Sequence, residues 1–216
     1  QNMKCDRKNM ILYAITDRKW TGKETLLQQV KEAIEGGATC IQLREKHITD
    51  DEFLKEAEAM AMLCREYRVP LIINDNVGIA VKSKADGVHL GQDDMNPKEA
   101  RELAERDLII GVTVHSVKEA VKAEKEGADY LGAGAVFSSS TKENTVPMSY
   151  ETLRDICKAV SIPVVAIGGI TKFNMMTLAG SGISGVALVS AVFGAENIKN
   201  ECRVLRSAAE KIGEWR

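Results

Sequence analysis

An amide and two cations follow one of the apolar runs of this 216-residue chain, a combination suited to binding an anion. The stretch CIQLREK (residues 40–46) begins apolar and ends charged. If it is a strand, the two-residue alternation of side chains places Gln42, Arg44 and Lys46 on one side. A solvated sheet face would explain one such strand equally well, so the interpretation depends on how the other strands end.

The other apolar runs also end in polar or small residues. These are Asn74, Asp75, His89, Gln92, Asp93, Asp94, Thr113, His115, residues 138–142, Gly168, Gly169 and Ser190. In a parallel barrel the carboxyl ends of the strands form the rim that carries the active site. We therefore expect these residues to converge on one rim, whereas ordinary surface faces would scatter them.

The charged members of this set predict a metal ion and an anion together. Asp75 and Asp94 follow neighbouring strands and suit Mg²⁺, which keeps several waters and is commonly shared with phosphates. Helix capping is the alternative role for such aspartates. Three cations, Arg44, Lys46 and Lys142, are expected on one rim only if a highly charged anion lies among them.

A second anion site is predicted beside the last two strands. Gly168 and Gly169 end the seventh apolar run, Ser190 follows the eighth, and a hydroxyl-rich stretch (residues 138–141) follows the sixth. Backbone amides and hydroxyls at this place in a barrel commonly bind phosphate. The rim is thus expected to bind two anionic groups.

Two histidines lie within or shortly after these runs, and neither has sequence neighbours that indicate a single role. His89 follows an apolar residue inside a strand, which favours a hydrogen-bonded core residue over a ligand. His115 suits either a general base or a residue that orients a loop, and the sequence does not separate these roles.

Strands and helices must alternate to bring these residues together. The apolar runs occupy residues 11–16, 39–43, 70–74, 87–90, 108–112, 130–136, 163–167 and 185–189. Helix-start signals lie between them, with capping boxes at Thr21, Thr49 and Ser116 and a cap before proline at Asn96. Eight such units favour an α/β fold, a single-domain (β/α)8 TIM barrel with parallel strands, over a doubly wound sheet. We expect the barrel at residues 11–216, after an N-terminal extension at residues 1–10.

The amino-acid composition limits the kinds of molecule that this protein is expected to bind. A net charge of −2 gives no electrostatic basis for binding nucleic acid or an anionic membrane. No apolar run approaches the roughly 20 residues of a membrane span. The five cysteines are scattered without CxxC spacing, which favours a reducing cytoplasm and no metal–thiolate site. Gln1 and Asn2 precede Met3 and look like an expression remnant, and homo-oligomer formation is left open.

Seven motifs occur in a recognisable order between about residue 12 and residue 193. They are QLREK, IIND, ADGVHLGQDD, GVTVHS, ADYLGAGAVF, PVVAIGGIT and GVALVSA. In order and spacing they resemble the thiamin phosphate synthase (thiamin-phosphate pyrophosphorylase) family. The resemblance implies a (β/α)8 barrel transferase that uses Mg²⁺ to join two small molecules, hydroxymethylpyrimidine diphosphate and thiazole phosphate. The products would be thiamin phosphate and pyrophosphate.

The resemblance also implies roles for individual residues. The positions that hold the pyrimidine diphosphate match Gln42, Arg44, Lys46, Asn74, Thr113 and Lys142. The thiazole-phosphate pocket matches Ser139, Thr141, Gly169, Val189 and Ser190. The Mg²⁺ ligands match Asp75 and Asp94. Arg44, Thr113 and Lys142 are the implied catalytic residues, and Thr113 stands where the family usually has a serine.

Two other functions compete with this interpretation. A thiazole tautomerase is a related barrel that would use a histidine base, here His115, but its relatives generally lack the full set of anion-binding and carboxylate residues. A regulatory barrel that senses a phosphorylated ligand without catalysis would release no pyrophosphate. An assay of pyrophosphate release therefore separates all three.

Overall fold

Eight parallel strands close into a barrel in the computed structural model, which describes residues 5–22, 24–105, 107–138 and 147–213. The strands are β1 (Leu12–Ile15), β2 (Cys40–Leu43), β3 (Leu71–Asn74), β4 (Gly87–Leu90), β5 (Ile109–Val114), β6 (Tyr130–Gly134), β7 (Val164–Ile167) and β8 (Gly185–Leu188). Each strand pairs with the next, and β8 pairs with β1. The predicted (β/α)8 barrel is confirmed, and every strand overlaps a predicted apolar run, although β5 continues to Val114, past the predicted end at residue 112.

Helices surround the barrel and connect its strands. They are α1 (Leu26–Glu35), α2 (Asp50–Tyr67), α3 (Val77–Lys82), α4 (Pro97–Ala104), α5 (Val117–Lys125), α6 (Tyr150–Ala159), α7 (Ser190–Phe193) and α8 (Ile198–Gly213). Short 3₁₀ helices occupy Arg7–Met10, Arg18–Trp20 and Met175–Leu178. The capping box at Thr49 and the Asn96 cap before proline are both present, as predicted.

The predicted helix start at Thr21 is wrong. The Thr21 backbone N–H and hydroxyl both donate to the Arg18 carbonyl, so this residue closes a 3₁₀ turn. Helix α1 begins later, after Thr25, whose hydroxyl accepts from the Gln28 backbone N–H at 3.2 Å. The local turn takes up the hydroxyl that an N-cap would need.

Side chains on the strands alternate between two apolar layers. Ile41 and Leu43 belong to the layer between the strands and the helices, whereas Cys40 belongs to the barrel interior. Gln42 is buried and lies on the interior side, as the alternation predicts. Each fully buried Ile or Leu contributes roughly 1.5–3 kcal/mol through the apolar area it removes from water, so the outer layer holds the rim strands in position.

Residues before β1 also contact the core. Met10, at the end of the first 3₁₀ helix, is fully buried in the interior cluster.

The five cysteines are free thiols, and burial raises the pKa of Cys64 and of Cys202 to about 12. None of the helices in the described ranges is long and apolar enough to cross a membrane.

Candidate active site

The carboxyl ends of β2 and β3 meet through an ion pair. Lys46 Nζ lies 2.5 Å from Asp75 Oδ2, and both side chains are partly exposed. Asp75 has a left-handed backbone (φ 62°), and its N–H donates to the His89 carbonyl at 2.8 Å. This conformation is uncommon for a residue with a Cβ and is concentrated at functional sites. Neighbouring structure therefore holds the Asp75 carboxylate on the rim.

Asp94 provides a second carboxylate close to the first. Its Oδ2 accepts from the Gly91 backbone N–H at 2.7 Å, which closes the loop after β4. Partial burial and the nearby charge of Asp75 raise the pKa of the Asp94 carboxyl, while that hydrogen bond lowers it. The two carboxylates thus repel each other, and a cation between them would relieve this repulsion. The described residues contain no cluster of three or more His, Cys, Asp or Glu side chains that could hold a metal.

Arg44 is placed on the rim by its backbone. Its N–H donates to the buried Thr16 hydroxyl at 3.0 Å, which joins the ends of β1 and β2. Glu45, the next residue, pairs with Arg18 at 3.0 Å. The Arg44 guanidinium has no hydrogen-bond or ion-pair partner among the residues that the structure describes. It is thus available for an anion.

A chain of hydrogen bonds crosses the barrel interior below this rim. Gln42 Nε2 donates to the Tyr13 hydroxyl at 2.8 Å, and the Tyr13 and Tyr130 hydroxyls lie 2.7 Å apart. His89 Nδ1 lies 2.9 Å from the Tyr130 hydroxyl, and His89 Nε2 lies 2.9 Å from Thr113 Oγ1. Burial lowers the pKa of His89 to about 4. His89 is a hydrogen-bonded core residue, as the sequence predicted.

The opposite side of the rim is formed by β7 and β8. Gly168 and Gly169 both have positive φ, 103° and 62°. A Cβ at Gly169 would lie 2.5 Å from the Ser138 carbonyl oxygen, so the glycine permits close contact with the loop after β6. Ser190 is exposed at the start of α7, and the first amides of a helix have no intrahelical acceptor. These groups can bind a phosphate.

The remaining predicted residues are placed as follows. Asn74 is partly buried at the end of β3, and Val189 is partly buried before α7. His115 is exposed, and its backbone N–H and ring Nδ1 both contact Glu119 Oε2, at 2.7 and 3.2 Å. Ser139, Thr141 and Lys142 lie outside the described residues.

Sequence patterns did not point to Tyr13, Tyr130 or Thr16. All three lie inside apolar runs, yet the Tyr13 hydroxyl accepts from Gln42 and the Thr16 hydroxyl accepts from the Arg44 N–H. The Tyr130 hydroxyl in turn contacts that of Tyr13. The available signal was chemical, because a buried tyrosine hydroxyl usually has a hydrogen-bond partner. Two tyrosines on interior strand positions therefore indicate a polar partner inside the barrel.

Comparison with known proteins gives a consistent result. A family model described as thiamine monophosphate synthase matches residues 12–192. The chain is similar to the thiamine-phosphate synthase of Clostridium acetobutylicum, with 43% identity over 93% of this chain and 95% of the relative. It is 44% identical to that of Pyrococcus furiosus over 95% and 98% of the two chains. A solved thiamine phosphate pyrophosphorylase from Pyrococcus furiosus superposes with a TM-score of 0.88 at 42% identity, covering 95% of this chain and 98% of that one.

Proposed function

The chain belongs to the thiamine monophosphate synthase family, and from that premise we propose how its rim residues act. The family's activity, thiamine-phosphate synthesis, is a transferase reaction and is the activity of this chain. The substrates we assign are hydroxymethylpyrimidine diphosphate and thiazole phosphate, and the products are thiamin phosphate and pyrophosphate. The observation that carries the residue assignment is the pairing of Lys46 with Asp75 beside Asp94.

Asp75 and Asp94 are the proposed Mg²⁺ ligands. They offer only oxygen donors, and two carboxylates suit an ion that keeps several waters and shares substrate phosphates. In the part of the chain that the structure describes, no third His, Cys, Asp or Glu side chain joins them in a metal-holding group, whereas a Ca²⁺ cage would need more protein ligands. When bound, Mg²⁺ supplies positive charge that neutralises the diphosphate oxygens.

Cationic side chains hold the diphosphate as a leaving group. Arg44 presents a planar fork of N–H donors that matches phosphate oxygens, and Lys46 offers a mobile ammonium beside Asp75. Lys142 and the Thr113 hydroxyl are proposed as further donors. Charge that develops on the departing oxygens is stabilised before the C–O bond breaks, which lowers the barrier. The aminopyrimidine can delocalise the resulting methylene cation, so we propose a dissociative substitution.

The second substrate binds on the opposite side of the rim. The amides beside Gly169 and at the start of α7, with the Ser190 hydroxyl, are proposed to hold the thiazole phosphate. Ser139 and Thr141 are assigned to the same pocket from the sequence match alone, with Val189 on the wall. The thiazole nitrogen then needs placement against the methylene carbon more than it needs a base. This explains a rim rich in anion-binding groups.

The two competing functions are not favoured. The relatives at 41–44% identity are thiamine-phosphate synthases. His115, the base that a tautomerase would need, is exposed and contacts Glu119 within the same helix start. A regulatory barrel would not need two carboxylates and several cations around one leaving group.

A pyrophosphate-release assay tests the proposal. We expect release only when both substrates and Mg²⁺ are present, and loss of release on addition of EDTA with recovery on excess Mg²⁺. Omission of each substrate in turn is the control. Release that is equal without Mg²⁺ would contradict the metal assignment, and no release from the complete mixture would contradict the function.

The cytoplasm is the compartment we propose, because free buried thiols suit a reducing environment.

A further inference from the structure

The buried chain from Gln42 to Thr113 can be hydrogen-bonded in two directions, because either tyrosine hydroxyl can donate to the other and the two His89 nitrogens exchange roles with the tautomer. Gln42 Nε2 donates to the Tyr13 hydroxyl at its start. In one direction, Tyr13 donates to the Tyr130 oxygen 2.7 Å away and Tyr130 donates to His89 Nδ1. Because a neutral imidazole carries one N–H, His89 then donates through Nε2 to Thr113 Oγ1.

This direction determines what the Thr113 hydroxyl can do. In that direction its oxygen accepts from His89 Nε2 at 2.9 Å, so its own proton is left for an acceptor outside the chain. A phosphate oxygen at neutral pH only accepts, so a Thr113 hydroxyl that contacts a diphosphate must donate, which selects this direction. Gln92 Nε2 donates to the Thr113 backbone carbonyl at 2.6 Å, which holds the residue itself. Rotation of the Thr113 hydroxyl is the freedom that remains, and the hydrogen bond with His89 restricts that rotation.

The barrel is built around this chain. Tyr13, Tyr130 and His89 are buried, and an unsatisfied polar group there would cost more than one in water. A Cβ at Gly111 would lie 2.1 Å from the Tyr130 ring, and a Cβ at Gly132 would lie 3.1 Å from His89 Cε1. Glycines on β5 and β6 thus leave the space that these two rings fill.

We propose that Tyr13, Tyr130 and His89 are positioning residues that fix the Thr113 hydroxyl as a hydrogen-bond donor to the substrate diphosphate. The inference rests on the proposed function, which places the diphosphate at Thr113. It assigns a role to three residues that would act through Thr113. A serine at this position would have more rotational freedom, and the methyl group of Thr113 adds a second restriction.

A double-mutant cycle tests this coupling. Thr113→Val removes the hydroxyl at nearly constant volume and is expected to lower kcat/KM for the pyrimidine diphosphate by about 10- to 100-fold, the range for a hydrogen bond to a charged group. Tyr130→Phe removes only the hydroxyl that directs His89 and is expected to lower the same ratio by about 3- to 30-fold. In the Thr113→Val background, the Tyr130→Phe change should lower kcat/KM for the pyrimidine diphosphate further by less than about twofold.

Controls separate positioning from stability. KM for thiazole phosphate should change little in each variant, because the chain faces the diphosphate side. The melting temperature of Tyr130→Phe is expected to fall, because His89 Nδ1 loses its buried partner, so kinetics are measured well below the melting temperature of every variant. Tyr67→Phe removes a hydroxyl that contacts Glu35 on the outer surface and should leave all constants unchanged. Fully additive losses in the cycle, or equal losses for both substrates, would overturn the proposal.

A spectroscopic measurement tests the direction without any substitution. The chain has three histidines, so imidazole ¹⁵N signals of the labelled protein can be assigned with His47→Gln and His115→Gln. We expect neutral His89 with its proton on Nε2, and a mixture of tautomers in Tyr130→Phe. A proton on Nδ1 in the unsubstituted protein would overturn the proposal. Absence of pyrophosphate release by that protein would instead reject the proposed function, while the tautomer would still decide the hydroxyl direction.

Discussion

Lys46 Nζ and Asp75 Oδ2 lie 2.5 Å apart and join the carboxyl ends of two neighbouring strands. The pair places Lys46, a proposed donor to the diphosphate, beside a proposed metal ligand. Exposed ion pairs contribute little to stability, commonly about 0–1 kcal/mol. We therefore expect this ion pair to contribute more to catalysis than to the stability of the fold.

Asp75→Asn should abolish most turnover while the fold is kept. The substitution removes one negative charge from the proposed Mg²⁺ site, and we expect a fall in kcat on the order of 100-fold or more. The measurement is pyrophosphate release as a function of Mg²⁺ concentration, with melting temperature recorded alongside. Asp93→Asn, on the same rim but exposed and unassigned, is the matched control. Unchanged rate and Mg²⁺ dependence in Asp75→Asn would exclude the ligand role.

Gly169→Ala should destabilise the protein. The residue has φ 62°, and the added Cβ would lie 2.5 Å from the Ser138 carbonyl oxygen, so the loop after β6 must shift. We expect the free energy of unfolding to fall by about 1–3 kcal/mol, measured by urea titration. Gly22→Ala is the control, because nothing lies within 4 Å of a Cβ there. Equal stability of the two variants would show that this contact is not tight in solution.

Ser190→Ala should affect the second substrate selectively. It removes one donor from the proposed thiazole-phosphate site and leaves the β2–β3 rim unchanged. The KM for thiazole phosphate should rise about 10-fold or more, as for a lost hydrogen bond to a charged group, while the KM for the pyrimidine diphosphate stays constant. Steady-state kinetics with each substrate varied will check this. Parallel changes in both KM values would argue against two separate anion sites.

Lys142→Ala should slow departure of pyrophosphate. Its role rests on the sequence match, and the loss of one donor to developing charge is expected to cost about 2–4 kcal/mol, or roughly 30- to 900-fold in rate. Thiazole phosphate binding, measured alone by calorimetry, should be unchanged. Lys118→Ala, on the exposed face of α5, is the control. A rate within about twofold of the unsubstituted protein would mean that this lysine does not serve the leaving group.

The thiols should be unreactive in the folded protein. Burial raises the pKa of Cys64 and Cys202 to about 12, which favours the neutral thiol, so at pH 8 only about one in 10⁴ is thiolate. An Ellman titration at pH 8 should therefore be slow in native buffer and should report five thiols in guanidinium. Fast reaction of most thiols in native buffer would contradict the burial described here.

Apolar runs and capping signals were sufficient to predict eight strands, their order and the rim on which Arg44, Lys46, Asp75 and Asp94 lie, whereas Gln42 lies in the barrel interior below that rim. These features are local, because alternation and capping depend on neighbours along the chain. The Thr21 error shows the limit of such signals, since its hydroxyl had a closer acceptor in Arg18.

Contacts between distant strands were decided only by the tertiary structure. The Tyr13 and Tyr130 hydroxyls meet across 117 positions of sequence, and the His89 ring joins Tyr130 to Thr113. No periodicity encodes such a chain, because its members, from Gln42 to Thr113, come from five strands whose register is set by barrel closure. The sequence determined which groups reach the rim. Barrel closure decided which of them hydrogen-bond to one another.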